Sequence, residues 1–103
     1  MKNLAQLQKM LQSAQEMQEK MQRELAALRV EGTSGGGMVS ATLDGHKNLV
    51  SLRLDPEVVN RDDIDMLQDL IVAAVRDAAA KADEETARRL GSLGAGLKIP
   101  GLV

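Results

Sequence analysis

Few residues in this chain could do acid–base or metal chemistry, and they do not converge. His46 is the only histidine and stands beside Asp44-Gly45, so it reads as a solvated turn residue rather than a general base or ligand. Asp62, Asp63, Asp65 and Asp69 suggest a cation site at first sight, but the run lacks the spacing and the glycine of a calcium loop. They read instead as charge at a helix N-terminus, where the dipole favours carboxylates. The run from Gly32 to Gly37 is not a phosphate-cradling loop, because no Lys-Ser or Lys-Thr follows at the required distance and the next segment has strand character. It reads as a turn. With no cysteine, a disulfide framework and a thiolate metal site are both excluded, and the balance leans toward the cytosol. No enzyme, cofactor, metal or small-molecule substrate is expected.

The basic residues form the remaining constellation. Lys2, Lys9, Lys20 and Arg23 fall in one helical segment near the start, and Arg88-Arg89 close another near the end. Such charges are ordinarily a solvated face. Their distribution is nevertheless uneven, although the net charge is only −2. Residues 1–30 and 86–103 together hold eight basic and three acidic groups, while residues 31–85 hold five basic and twelve acidic. A polyanion would be attracted to the ends and repelled by the middle. The chain has no Phe, Trp or Tyr, so it lacks the stacking platform of single-strand binders, and duplex is the expected nucleic-acid target. A helix carrying Lys, Arg and Gln also suits a major groove and its phosphates.

The elements that must position these groups are legible from periodicity. Leu4, Leu7, Leu11, Ala14, Met21, Leu25 and Leu28 make a heptad ladder broken at Gln18, with Met10 and Met17 widening it. This predicts an amphipathic helix from Lys2 to about Leu28, roughly 39 Å long at 1.5 Å per residue. Leu4, Leu7, Leu11, Met21, Leu25 and Leu28 are its expected dimer or core seam. A short strand is expected over 29–33, and a second in which Val39, Ala41 and Leu43 alternate with Met38, Ser40 and Thr42. Asp44-Gly45 is a hairpin signal, and the return strand sets Val50, Leu52 and Leu54 against Leu49, Ser51 and Arg53. Asp55-Pro56 ends the sheet. Asn60 is the expected cap of the last helix, with Val59 and Ile64 as a hydrophobic staple and Gly91 as its stop. Ile64, Leu67, Leu70, Ile71, Ala74, Val75, Ala78 and Ala82 form its buried stripe. Residues 1–91 then make one domain, and residues 92–103 a flexible Gly-rich tail. Both helices are longer than the strands, so they must overhang the sheet and need cover, in each other and in a second subunit. No apolar run reaches a membrane span, and the N-terminal alternation is unlike a signal-peptide core.

Several segments in this order resemble the YbaB/EbfC family. They are the Met- and Gln-rich opening helix around Met10 to Gln18, Val30-Glu31-Gly32, the hairpin closing on Leu54-Asp55-Pro56-Glu57, the Asp65-to-Ala74 helix and the Gly94-to-Gly101 tail. The resemblance implies an α+β fold of order α-β-β-β-α, assembled as a tweezer-like homodimer. It implies a cytoplasmic, nucleoid-associated protein that binds duplex DNA, bending or bridging it, with effects on gene expression. DNA contact would then map onto Lys2, Lys9, Lys20, Arg23, Arg88 and Arg89. The alternative is a dimeric adaptor whose helices grip a protein partner in recombination or replication.

Overall fold

The computed structural model describes residues 2–97, with the side chains of residues 3–91. The order is α1 (Lys2–Ala27), β1 (Val30–Ser34), β2 (Val39–Leu43), β3 (Leu49–Leu54) and α2 (Ile64–Leu97). This is the expected α-β-β-β-α arrangement. The three strands form one antiparallel sheet with β2 in the middle. The alternation read in β2 decides the core, for Val39, Ala41 and Leu43 are fully buried, beside Val58 and beneath Ala74 and Ala78 of α2. Leu67, Leu70, Ile71 and Val75 are partly buried against them, whereas Ile64 is exposed and does not join the stripe.

α2 lies over β1 and β2 and leaves β3 largely outside its footprint. Its close approach has a definite cause. Gly32, which falls both in the strand expected over 29–33 and in the glycine run read as a turn, sits in the middle of β1, where an added Cβ would stand 2.1 Å from the Ala78 backbone nitrogen. Only glycine lets the two backbones come so near. The turn itself begins at Gly35, and Gly35, Gly36 and Gly37 all have positive φ, as a reversal built of glycines predicts.

Other local expectations shift. The hairpin is not a two-residue Asp-Gly turn but a five-residue loop, 44–48, between β2 and β3. The Asp44 carboxylate organises it by accepting from the backbone N–H groups of His46 at 2.8 Å and Asn48 at 3.0 Å. These bonds, with that from Asn48 first, hold the Asp44 carboxyl below its ordinary pKa. Lys47, not Gly45, takes the positive φ. A bulge at Thr42/Leu43 then breaks the alternation of β3, so that Leu49 faces Leu43 while Leu52 and Leu54 face Ala41 and Val39. Val50 is left as the extra residue, contrary to its expected place beside Leu52 and Leu54.

α2 begins at Ile64 because Asp63 is its cap, the carboxylate accepting the Met66 N–H at 3.2 Å. Asn60 caps only the preceding turn, through Asp62 N–H at 3.0 Å, and Val59 and Ile64 both stay exposed, so the staple does not form. At the other end α2 runs through Gly91 to Leu97. An interior glycine weakens a helix by about 1 kcal/mol without breaking it as proline does, so Gly91 is passed over. Residues 98–103 of the expected tail lie outside the described residues.

Candidate nucleic-acid interface

The sheet is short and the helices are long. Strands of five or six residues span about 20 Å, whereas the molecule measures 74 × 25 × 16 Å. α1 is anchored at its C-terminal end, where the Gly45 N–H donates to the Leu25 carbonyl at 2.8 Å. A Cβ on Gly45 would come within 2.6 Å of that same oxygen, so this glycine serves the docking of α1 rather than the twist of a turn. Arg29 Nη1 donates to the Ala26 and Leu28 carbonyls and closes the helix end. From this anchor α1 leaves the body beside the second half of α2. Its apolar ladder is half-buried only at Met21, Leu25 and Leu28, whereas Leu4 is 63% and Leu11 58% exposed. The ladder therefore contributes little to the core of a single chain.

The charged face of this arm has a simple geometry. At about 100° per residue, Lys2, Lys9, Lys20 and Arg23 fall within an arc of roughly 60°, on the side of α1 away from the leucines. Lys9, Lys20 and Arg23 are exposed, and only the backbone of Lys2 is described. Lys9 and Arg23 stand about 21 Å apart along the axis at 1.5 Å per residue, some six base-pair steps of duplex. Glu16 lies on the same arc and dilutes it.

The second basic cluster meets the first across a groove. Met17, Lys20, Met21, Glu24 and Leu25 of α1 face Thr86, Arg89 and Leu90 of α2 around a space of about 370 Å³. This brings Lys20 and Arg89 together, while Lys9 stands further out on the arm. Arg88 and Arg89 are not free: Arg88 Nη1 donates to Glu85 Oε2 at 2.8 Å, and Arg89 Nε to Glu85 Oε1 at 3.3 Å. The sequence reading leaves Glu85 out, although its i,i+3 and i,i+4 spacing from the two arginines was the available signal. The hairpin cations lie elsewhere. Lys47 pairs with Asp83 at 3.2 Å, and Arg53 lines the polar outer face of the sheet with Glu31, Ser40, Thr42 and Ser51. Among the described residues no helix is long and apolar enough to cross a membrane.

The molecule is a small α+β body carrying an exposed two-helix arm, one face of which is basic. Comparison with known proteins makes this more specific. The chain belongs to the YbaB/EbfC DNA-binding family, whose profile matches residues 1–97. It is 50% identical over 96 residues to the nucleoid-associated protein TTE0040 of Caldanaerobacter subterraneus, covering 90% of this chain and 86% of that one. It is 45% identical over 100 residues to a nucleoid-associated protein of Dictyoglomus thermophilum, covering 97% and 96%. Among solved structures, that of the uncharacterized protein HP0035 from Helicobacter pylori superimposes with a TM-score of 0.72 at 22% identity, covering 86% of this chain and 94% of that one, which supports the fold. The family is one of DNA-binding proteins, not of enzymes.

Proposed function

We propose that this protein binds duplex DNA as a homodimer, through the arm made by α1 and the end of α2, and acts at the bacterial nucleoid by bending or bridging the chromosome, with effects on gene expression. The observation that carries the reading is the grouping of Lys9, Lys20 and Arg23 on the outward face of an exposed helix, with Arg89 across the groove. Lys2, which falls on the same helical arc by its position, and Arg88, next to Arg89 in sequence, are assigned to the same interface. The family and the names of the relatives support it. The absence of aromatic residues favours phosphate and groove contact over base stacking. A second copy would cover the ladder from Leu4 to Leu28 that one chain leaves open.

The test is a titration of a random-sequence duplex by fluorescence anisotropy across salt concentrations, with single strand as competitor at equal nucleotide concentration. If a dimer neutralises about six phosphates, log K should fall against log salt with a slope near −5, and duplex should win the competition. A slope near zero, or tighter binding of the single strand, would reject the phosphate-and-groove reading.

A further inference from the structure

We propose that Glu16 reads base edges: α1 lies in the major groove with the Glu16 carboxylate accepting a hydrogen bond from the N4 amino group of cytosine, while Lys9 and Arg23 hold phosphates on either side. The inference rests on the duplex-binding reading and adds to it a base preference and the residue that sets it.

The basic face of α1 is not uniformly basic. Lys2, Lys9, Glu16 and Arg23 follow one another at intervals of seven residues. At about 100° per residue, seven residues return a side chain to within roughly 20° of the same direction, so the four form one column along the helix. Its cations are interrupted by a single carboxylate, with Lys9 and Arg23 about 10.5 Å to either side of Glu16. Met17 and Met21, which line the groove against α2, lie about 100° round the helix, and Lys9, Glu16 and Arg23 are all exposed.

The ordinary use of such a glutamate is an ion pair with a lysine four positions on, here Lys20. The structure does not make that pair. Among the described residues Glu16 bonds only to Gln12, whose Nε2 donates to Oε1 at 3.5 Å, and Oε2 has no partner. Lys9 and Arg23 are likewise outside every ion pair of the described residues.

Charge decides what this carboxylate can face. A phosphate repels it, so a duplex that sets its phosphates on Lys9 and Arg23 must turn another group toward Glu16. The shape of the duplex supplies one. A straight helix follows the winding major groove for only a few turns, so that its middle approaches base edges while the flanking turns approach the phosphate walls. Glu16 is the midpoint between the two cations. An ionised carboxylate can only accept hydrogen bonds. In the major groove guanine and thymine offer it no donor, and adenine sets the N7 lone pair beside its N6 amino group, whereas cytosine offers its N4 amino group alone.

Three duplexes of one length test this by fluorescence anisotropy: one of G·C pairs, one of A·T pairs and one of inosine·cytosine pairs. Inosine lacks the N2 amino group of guanine, so its pair resembles A·T in the minor groove and G·C in the major groove. The expected result is that the G·C and inosine·cytosine duplexes bind alike and at least about fivefold tighter than A·T, the lower end of what a good base-edge contact discriminates. Glu16→Ala should erase that preference. Glu19→Ala, which removes the same charge from an exposed position about 60° away, should keep it, with circular dichroism verifying the helix in both. Equal binding of the three duplexes by the unmodified protein, an inosine·cytosine duplex that binds like A·T, a preference that survives Glu16→Ala, or its loss in Glu19→Ala would overturn the base contact. The duplex-binding reading stands in all four cases as long as log K falls with log salt, and a flat salt dependence would overturn both.

Discussion

Glu85 holds two of the arm's arginines through its two carboxylate oxygens, at 2.8 and 3.3 Å, and any phosphate that binds Arg88 or Arg89 must compete with it. Glu85→Gln keeps the shape and removes the competing charge. If the change frees one guanidinium per copy for phosphate, a dimer gains two contacts, and the slope of log K against log salt should steepen from about −5 to about −7 at 0.9 per phosphate. The same two contacts should raise affinity at 0.15 M salt by about 30-fold, since the gain scales with the logarithm of the salt concentration. The structural cost is small, because helical pairs at this spacing contribute only about 0.3–0.5 kcal/mol each. Anisotropy on a random duplex, with circular dichroism to verify the helices, measures both quantities. Affinity and slope that match the unmodified protein, with the fold intact, would show that Arg88 and Arg89 do not touch DNA and would refute the placement of the end of α2 in the interface.

Three further outcomes are expected. Gly32→Ala drives a Cβ to 2.1 Å from the Ala78 nitrogen, so α2 must lift from β1; the cost should be at least the 1–3 kcal/mol of an overpacked core, read as a lowered Tm. Leu11→Asp places a carboxylate in the α1 ladder, away from the monomer core, and should shift the sedimentation profile toward monomer while the three strands remain; an unchanged dimer would remove this ladder from the seam. The Thr33 N–H bond, then Lys81, holds the Asp77 carboxyl below its ordinary value of 3.8. A lowered folded pKa means that the unfolded chain takes up the proton first as pH falls, so the stability contributed by Asp77 is complete above that value and is lost below it. Asp77→Asn should therefore flatten the acid limb of a Tm-against-pH curve below about pH 4, and an unaltered limb would contradict the assignment.

Local structure was legible wherever one residue's neighbours in sequence are also its neighbours in space. The heptad ladder from Leu4 to Leu28 determined α1, the alternation of Val39, Ala41 and Leu43 determined the buried face of β2, and the glycines from Gly35 to Gly37 determined the reversal between β1 and β2. The arc of Lys2, Lys9, Lys20 and Arg23 was equally contained in the sequence, because helical periodicity alone sets it. What the sequence did not determine depends on residues far apart in the chain. Gly45 reads as a turn glycine and Gly32 as the end of a strand or the start of the turn after it, yet each is needed where a backbone approaches another element, Ala78 for Gly32 and Leu25 for Gly45. Asp77 is one acid among many until α2 lies along β1 and brings it to the Thr33 N–H, 44 positions away in sequence. The meeting of Lys20 with Arg89, and the contrast between a covered β1 and an uncovered β3, likewise exist only once α2 is seated over two strands and not three. Periodicity tells which face of an element avoids water; which other element covers that face is a property of packing, and packing is decided by contacts that no short window of sequence contains.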